Sequence, residues 1–150
     1  MTTLRALACV GALVLSLSAC SDTPTTSVAQ GPRATWDAAG IDSYTFTVMR
    51  GCFCPQEYIG PFTVMVLDGA PVTVVRGRKE IPVDDETLGE LPLTVEQLFI
   101  YIDEVGAQAD DVSVSYDADL GFPSRISVDL YANSVDDEMQ IAVSDFRAET

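Results

Sequence analysis

The chain has 150 residues, 47% of them hydrophobic, which is room for one domain with a single core. Eight basic residues stand against 23 acidic ones, for a formal charge of −15; that balance speaks against nucleic-acid partners and against electrostatic docking on anionic lipid. Histidine is absent, so Ser-His-Asp and Cys-His nucleophile systems and His-containing zinc or iron sites are excluded.

The first element is a leader. "MTTLRALACVGALVLSLSAC" carries one charge, Arg5, then an apolar run from Ala6 to Leu17, then small residues. This is the pattern of a secretory signal, and its core is too short to span a bilayer as a helix. Leu17-Ser18-Ala19-Cys20 resembles the bacterial lipoprotein box, which implies cleavage after residue 19 and a lipid on Cys20. The expected layout is a signal peptide over 1–19, a lipidated Cys20 with a flexible tether over 20–33, and one globular domain over 34–150. The tether "SDTPTTSVAQGPR" is small, polar and without hydrophobic period. Ser21, in place of an aspartate, does not favour retention at the inner membrane of a two-membrane cell.

"TWDAAG" suits one helical turn ended by Gly40. From Tyr44 the period becomes two: Tyr44, Phe46 and Val48 alternate with Thr45, Thr47 and Met49, as in a strand. Asp68-Gly69 sits between two further runs, predicting an antiparallel hairpin of strands near 62–67 and 70–76. The acidic, proline-bearing segment 78–93 reads as a connecting loop. "LTVEQLFIYIDEVGA" is an amphipathic helix: Val95, Leu98, Phe99, Ile102 and Val105 share a face. Thr94 and Gln97 have capping-box spacing, and Gly106 stands where a left-handed C-cap would be. Three strands follow, around Val112–Tyr116, Ile126–Leu130 and Met139–Val143, with a bulge or an early strand end expected near Ser144 because Phe146 breaks parity. The expected fold is α+β: an antiparallel sheet of about six strands (three strands, helix, three strands) with one amphipathic helix packed across a face. A small closed barrel is the alternative.

A C-x-C after the first strand, the Asp-Gly hairpin, "LTVEQLFIYI", "VSVSYDADLGFPSRISVDL" and "DDEMQIAVSDF" together resemble a family of bacterial lipoproteins whose domain has no known function. The likeness covers nearly all of residues 34–147. Its most specific piece is Tyr116-Asp117 followed by Gly121-Phe122-Pro123, then Ile126 and Asp129. The resemblance implies a secreted or anchored envelope domain. It implies no activity, cofactor or catalytic residue.

Three acidic groups, Asp84-Asp85-Glu86, Asp110-Asp111 and Asp136-Asp137-Glu138, fall in expected loops, where such clusters are solvated more often than catalytic. Asp117 and Asp119 are the nearest approach to a calcium site. The EF-hand spacing fails, however, because Phe122 and Val128 occupy the glycine and glutamate positions. The expected work of "YDADLGFP" is a turn, with Asp117 or Asp119 capping backbone amides, Gly121 permitting an unusual φ and Pro123 stiffening the next strand.

Cys52 and Cys54 are the remaining chemistry. Cys9 leaves with the leader and Cys20 takes the lipid, so these two are left to pair outside the cytosol. In extended chain their Cα atoms would stand roughly 6.6–7.2 Å apart, at or beyond the usual disulfide limit of about 6.8 Å. A bridge therefore requires the backbone to leave the strand between Gly51 and Pro55, and closing so small a loop adds only about 1.5 kcal/mol. The other readings of the pair are a redox couple and soft-metal capture with Met49 or Met65. The expected function is an envelope-anchored, non-enzymatic binding or assembly module with no cofactor, held to the membrane by its lipid and meeting an envelope protein partner. The alternative is a thiol-redox or soft-metal-handling lipoprotein.

Overall fold

In a computed structural model, residues 30–131 and 138–149 are described. The leader, Cys20, most of the tether, and Asp136 and Asp137 lie outside them. The described chain forms a seven-stranded antiparallel sheet with three helices. The strands are β1 (Tyr44–Gly51), β2 (Phe62–Leu67), β3 (Ala70–Arg76), β4 (Lys79–Ile81), β5 (Asp111–Tyr116), β6 (Pro123–Asp129) and β7 (Glu138–Ala148). The helices are α1 (Gln30–Ala39), α2 (Gln56–Ile59) and α3 (Val95–Gly106). Strand order is β4-β3-β2-β1-β7-β6-β5, so the sheet has two edges rather than closing into a barrel.

The hairpin at Asp68-Gly69 follows from its turn chemistry. Both residues have positive φ, 50° and 76°, the pairing a two-residue turn needs to match strand twist. β1 and β2 alternate buried and open positions, so Tyr44, Phe46, Val48, Phe62, Val64 and Val66 form the centre of the core. β7 returns beside β1, and its register shifts between Thr45 and Thr47. Asp145 sits there at φ 52°, and this bulge lets Phe146 join the core instead of facing out.

The strand count and the extent of the first helix are corrected. A seventh strand exists: Lys79, Glu80 and Ile81, read as loop, pair with Arg76, Val75 and Val74. α1 is a ten-residue helix that begins at Gln30, ahead of the expected domain start, rather than a single turn. Pro32 in its first turn is tolerated because the N–H it lacks has no helical partner there. Gly40, at φ 61°, closes the helix.

α3 starts as its spacing predicts. Thr94 Oγ1 accepts from the Gln97 N–H at 3.1 Å. The Gln97 side chain reaches back one residue further than a capping box, to the Leu93 N–H at 2.7 Å. The Val95 N–H is satisfied from the sheet, by the Tyr44 hydroxyl at 2.7 Å. The left-handed C-cap expected at Gly106 is absent. Gly106 remains helical, and the end unwinds through Ala107, whose N–H points to Glu104 O at 3.4 Å. Val95, Leu98, Phe99 and Ile102 are buried in the same cluster as the strand residues.

The candidate functional site: a pocket at the exit of the first strand

Arg50 is on the wrong side of β1 for a charge. It follows Tyr44, Phe46 and Val48 on the core-facing parity, and its register partner on β7 is the buried Ile141. The guanidinium is partly buried and turns toward the segment after β4, where it donates to the Leu88 carbonyl at 2.7 Å. Gly89 beside it has a positive φ of 53°, and a Cβ there would make only an ordinary contact, 3.8 Å, with Arg50 Nη2. Among the described residues no carboxylate forms an ion pair with Arg50; the recorded pairs join Arg33 to Glu96 and Asp103.

Beside Arg50 lies a cavity of about 290 Å³, walled by Cys52, Cys54, Tyr101, Met139 and Ile141. The exposed Glu90 and the buried Leu91 complete its lining. Each wall arrives from a different part of the chain. The C-x-C segment leaves β1, Tyr101 projects from α3, and Met139 and Ile141 stand on β7. The Tyr101 hydroxyl donates to Met139 Sδ at 3.1 Å, a weak acceptor for a phenol. Burial lowers the Arg50 pKa from its ordinary value, opposed by Tyr101 and Glu90. Burial raises that of Tyr101, with Arg50 pulling it back and Glu90 adding to the rise. A wider surface groove of about 630 Å³ shares Glu90, Leu91 and Tyr101 and continues along Ile100 and Glu104, but no arginine or cysteine lines it.

Cys52 and Cys54 stand at disulfide distance, with Cα atoms 5.3 Å apart. The backbone has left the strand at Gly51, which brings the Cα atoms closer than extended chain allows. Phe53 between them points into solvent, 88% exposed. A second hollow of about 300 Å³ lies against Cys52, Phe53, Cys54 and Pro55, so the pair is approachable from two sides. The methionine near the cysteines is Met139. Met65 pairs with Thr45, at the opposite end of β1, and Met49 pairs with Ala142 on the parity that faces away from the core. Met49 and Met65 thus do not line the cavity that holds the cysteines.

The "YDADLGFP" segment forms a structural joint. Asp117 Oδ1 accepts from the N–H groups of Asp119 at 3.1 Å and Leu120 at 2.8 Å. Gly121 has φ 77°, and a Cβ on it would collide with the Pro32 carbonyl and lie 2.9 Å from Thr35 Cβ. The turn thus seats α1. Phe122 then stacks with Phe146 at 4.7 Å and meets Trp36 of α1 edge-on at 6.3 Å, while Pro123 is buried at the start of β6. Tyr116 stacks over Phe99 at 6.4 Å, and Arg33 of α1 lies above the same Phe99 ring at 5.2 Å. Asp145 joins Asp117 and Asp119 around a shallow hollow, yet among the described residues no three His, Cys, Asp or Glu side chains come together as a metal ion would need.

The acidic clusters also differ from a picture of free loops. Asp85 accepts from the Thr87 N–H at 2.9 Å and from its hydroxyl at 2.6 Å, and these bonds lower its carboxyl pKa. Asp111 and Glu138 open strands and flank Asp129 in register, one on each side. Among the described residues no helix is long and apolar enough to cross a membrane.

No curated protein and no solved structure matches the chain. A family model matches residues 29–148, and the protein therefore belongs to the family of unknown function DUF6174.

Proposed function

We propose that the protein is a lipid-anchored, extracytoplasmic, non-enzymatic binding module whose site is the pocket between Arg50, Tyr101 and the Cys52–Cys54 pair. The single observation that carries this reading is a partly buried arginine that forms no ion pair among the described residues, beside a cavity with Leu91, Met139 and Ile141 in its lining. Leu88 O and the Glu90 charge already offset part of the cost of this partial burial, and an anionic ligand would add a further partner. α3 lies across one face of the sheet and forms the pocket's wall through Tyr101. The leader and Cys20 support the anchor, and α1, seated by Gly121, supplies a firm end for the tether. With no histidine and no carboxylate pair in the pocket, nothing there suggests acid–base turnover.

Two measurements test the reading. Cells fed an alkyne-bearing palmitate should label the protein, and Cys20→Ser should abolish the label and release the chain from the membrane. An unlabelled wild-type protein would remove the anchor. For the pocket, Leu91→Trp should block binding of any ligand that shifts the Met139 methyl resonance, and unchanged binding would place the site elsewhere.

A thiol-redox or soft-metal role is the second reading, favoured by the openness of Cys52 and Cys54 from two sides. An intact mass about two daltons short, resistant to mild glutathione and unaffected by copper, would exclude it.

A further inference from the structure

We propose that the pocket's ligand is a small amphipathic anion, an organic carboxylate with a short hydrocarbon body, bound head-first to Arg50 and Tyr101. This rests on the reading of the pocket as the binding site and adds the chemistry of what fills it.

The head position is set by two donors. Among the described residues the hydrogen bond recorded for the Arg50 guanidinium goes to Leu88 O, so the N–H groups not used there are available. A planar carboxylate matches a guanidinium fork better than any neutral acceptor. The Tyr101 proton rests on a thioether at 3.1 Å, and a carboxylate oxygen would take it in preference. The two side chains line one cavity, so a single head group can meet both.

The body position is set by the remaining walls. Leu91, Met139 and Ile141 are apolar, and a cavity of about 290 Å³ is at the small end of ligand pockets. Met139 sits at the junction, and its flexible thioether adapts to an alkyl chain. A phosphate or sulfate alone would leave these walls unfilled.

Charge elsewhere opposes an anion and so sharpens the assignment. The whole chain carries −15, but exposed charges beyond about 8 Å are largely screened at physiological salt. Glu90 is the exception, because it stands on the rim. It is exposed and, among the described residues, its charge reaches Arg50 without an ion pair, so it weakens an anion's hold without neutralising the site. That makes Glu90 a dial: removing its charge should tighten an anionic ligand and do nothing for a neutral one.

The test uses the full chain in nanodiscs, with ¹³C-labelled methionine methyl groups, titrated with octanoate, octan-1-ol and octylammonium. Met49 and Met65, on the other face, serve as internal controls. Octanoate should shift Met139 saturably and leave Met49 and Met65 in place, with octan-1-ol weaker by about tenfold or more. Arg50→Met should cost octanoate about tenfold and octan-1-ol much less. Glu90→Gln should strengthen octanoate alone. Equal binding of octanoate and octan-1-ol, or preference for octylammonium, would overturn the anion assignment while leaving the pocket as a site. If none of the three shifts Met139, the pocket reading falls with it. Should Arg50→Met fail to fold, the exposed Glu90→Gln decides, and an unchanged octanoate affinity overturns the proposal.

Discussion

Arg50 donates to the carbonyl of Leu88 across a gap of 38 residues, and this 2.7 Å bond ties the exit of β1 to the segment that precedes α3. The bond holds the guanidinium at the mouth of the cavity. It also explains why a charged residue persists on a strand face otherwise made of Tyr44, Phe46 and Val48.

The joint between the YDADLGFP turn and α1 should be intolerant of even one methyl group. Gly121→Ala combines a left-handed φ with a collision against the Pro32 carbonyl, and should cost about 2 kcal/mol or more in urea unfolding. Gly31→Ala, which meets nothing within 4 Å, should be neutral or slightly stabilising. Equal effects of the two would mean that α1 is not seated there.

Phe99 is fully buried between Tyr116 and Arg33. Phe99→Ala should lower stability by about 3–5 kcal/mol. A near-neutral result would mean that α3 is not docked on the sheet.

Tyr44 couples the sheet to the start of α3, and its pKa is pushed up to about 12, chiefly by burial, with the Val95 N–H opposing and Glu96 adding. An unfolded tyrosine ionises near about 10. The folded chain therefore holds this proton longer: its stabilising effect is complete below about pH 10 and is lost as pH rises through about 12. Alkaline unfolding should follow that window, with a late phenolate absorbance. Tyr44→Phe removes the acceptor of a buried N–H and should cost about 1–3 kcal/mol at neutral pH.

Asp129 faces Asp111 and Glu138 across adjacent strands, and its Oδ1 is buried with no hydrogen-bond partner among the described residues. Like charges directly opposite one another destabilise a sheet. Asp129→Asn should therefore raise the melting temperature, by about 0.2–1 kcal/mol in free energy. A fall would mean that a partner meets that oxygen.

The strands and α3 were legible because each carries its own period. β1, β2, β3 and the helix face of Leu98, Phe99 and Ile102 need no distant information. β4 was not legible: Lys79-Glu80-Ile81 is too short for a period, and its pairing comes from the turn at Gly77. α1 was hidden by Gly31 and Pro32, which read as breakers yet are harmless in a first turn. Gly106 suggested a left-handed cap, but the chain after it bonds back through Gln108 and Ala109 to Val105 instead. The pocket was the largest omission, because Arg50, Leu88, Tyr101 and Met139 meet only in the folded chain. One local signal existed, an arginine on the apolar parity of β1. The cysteine pair lines that same cavity.

The most direct measurement is a crystal structure of the chain with octanoate. One molecule should occupy the cavity, its carboxylate on the Arg50 guanidinium and Tyr101 hydroxyl, its tail against Leu91, Met139 and Ile141, and the Tyr101–Met139 bond broken. An empty cavity, or a tail pointing at Arg50 with the head in solvent, would contradict it.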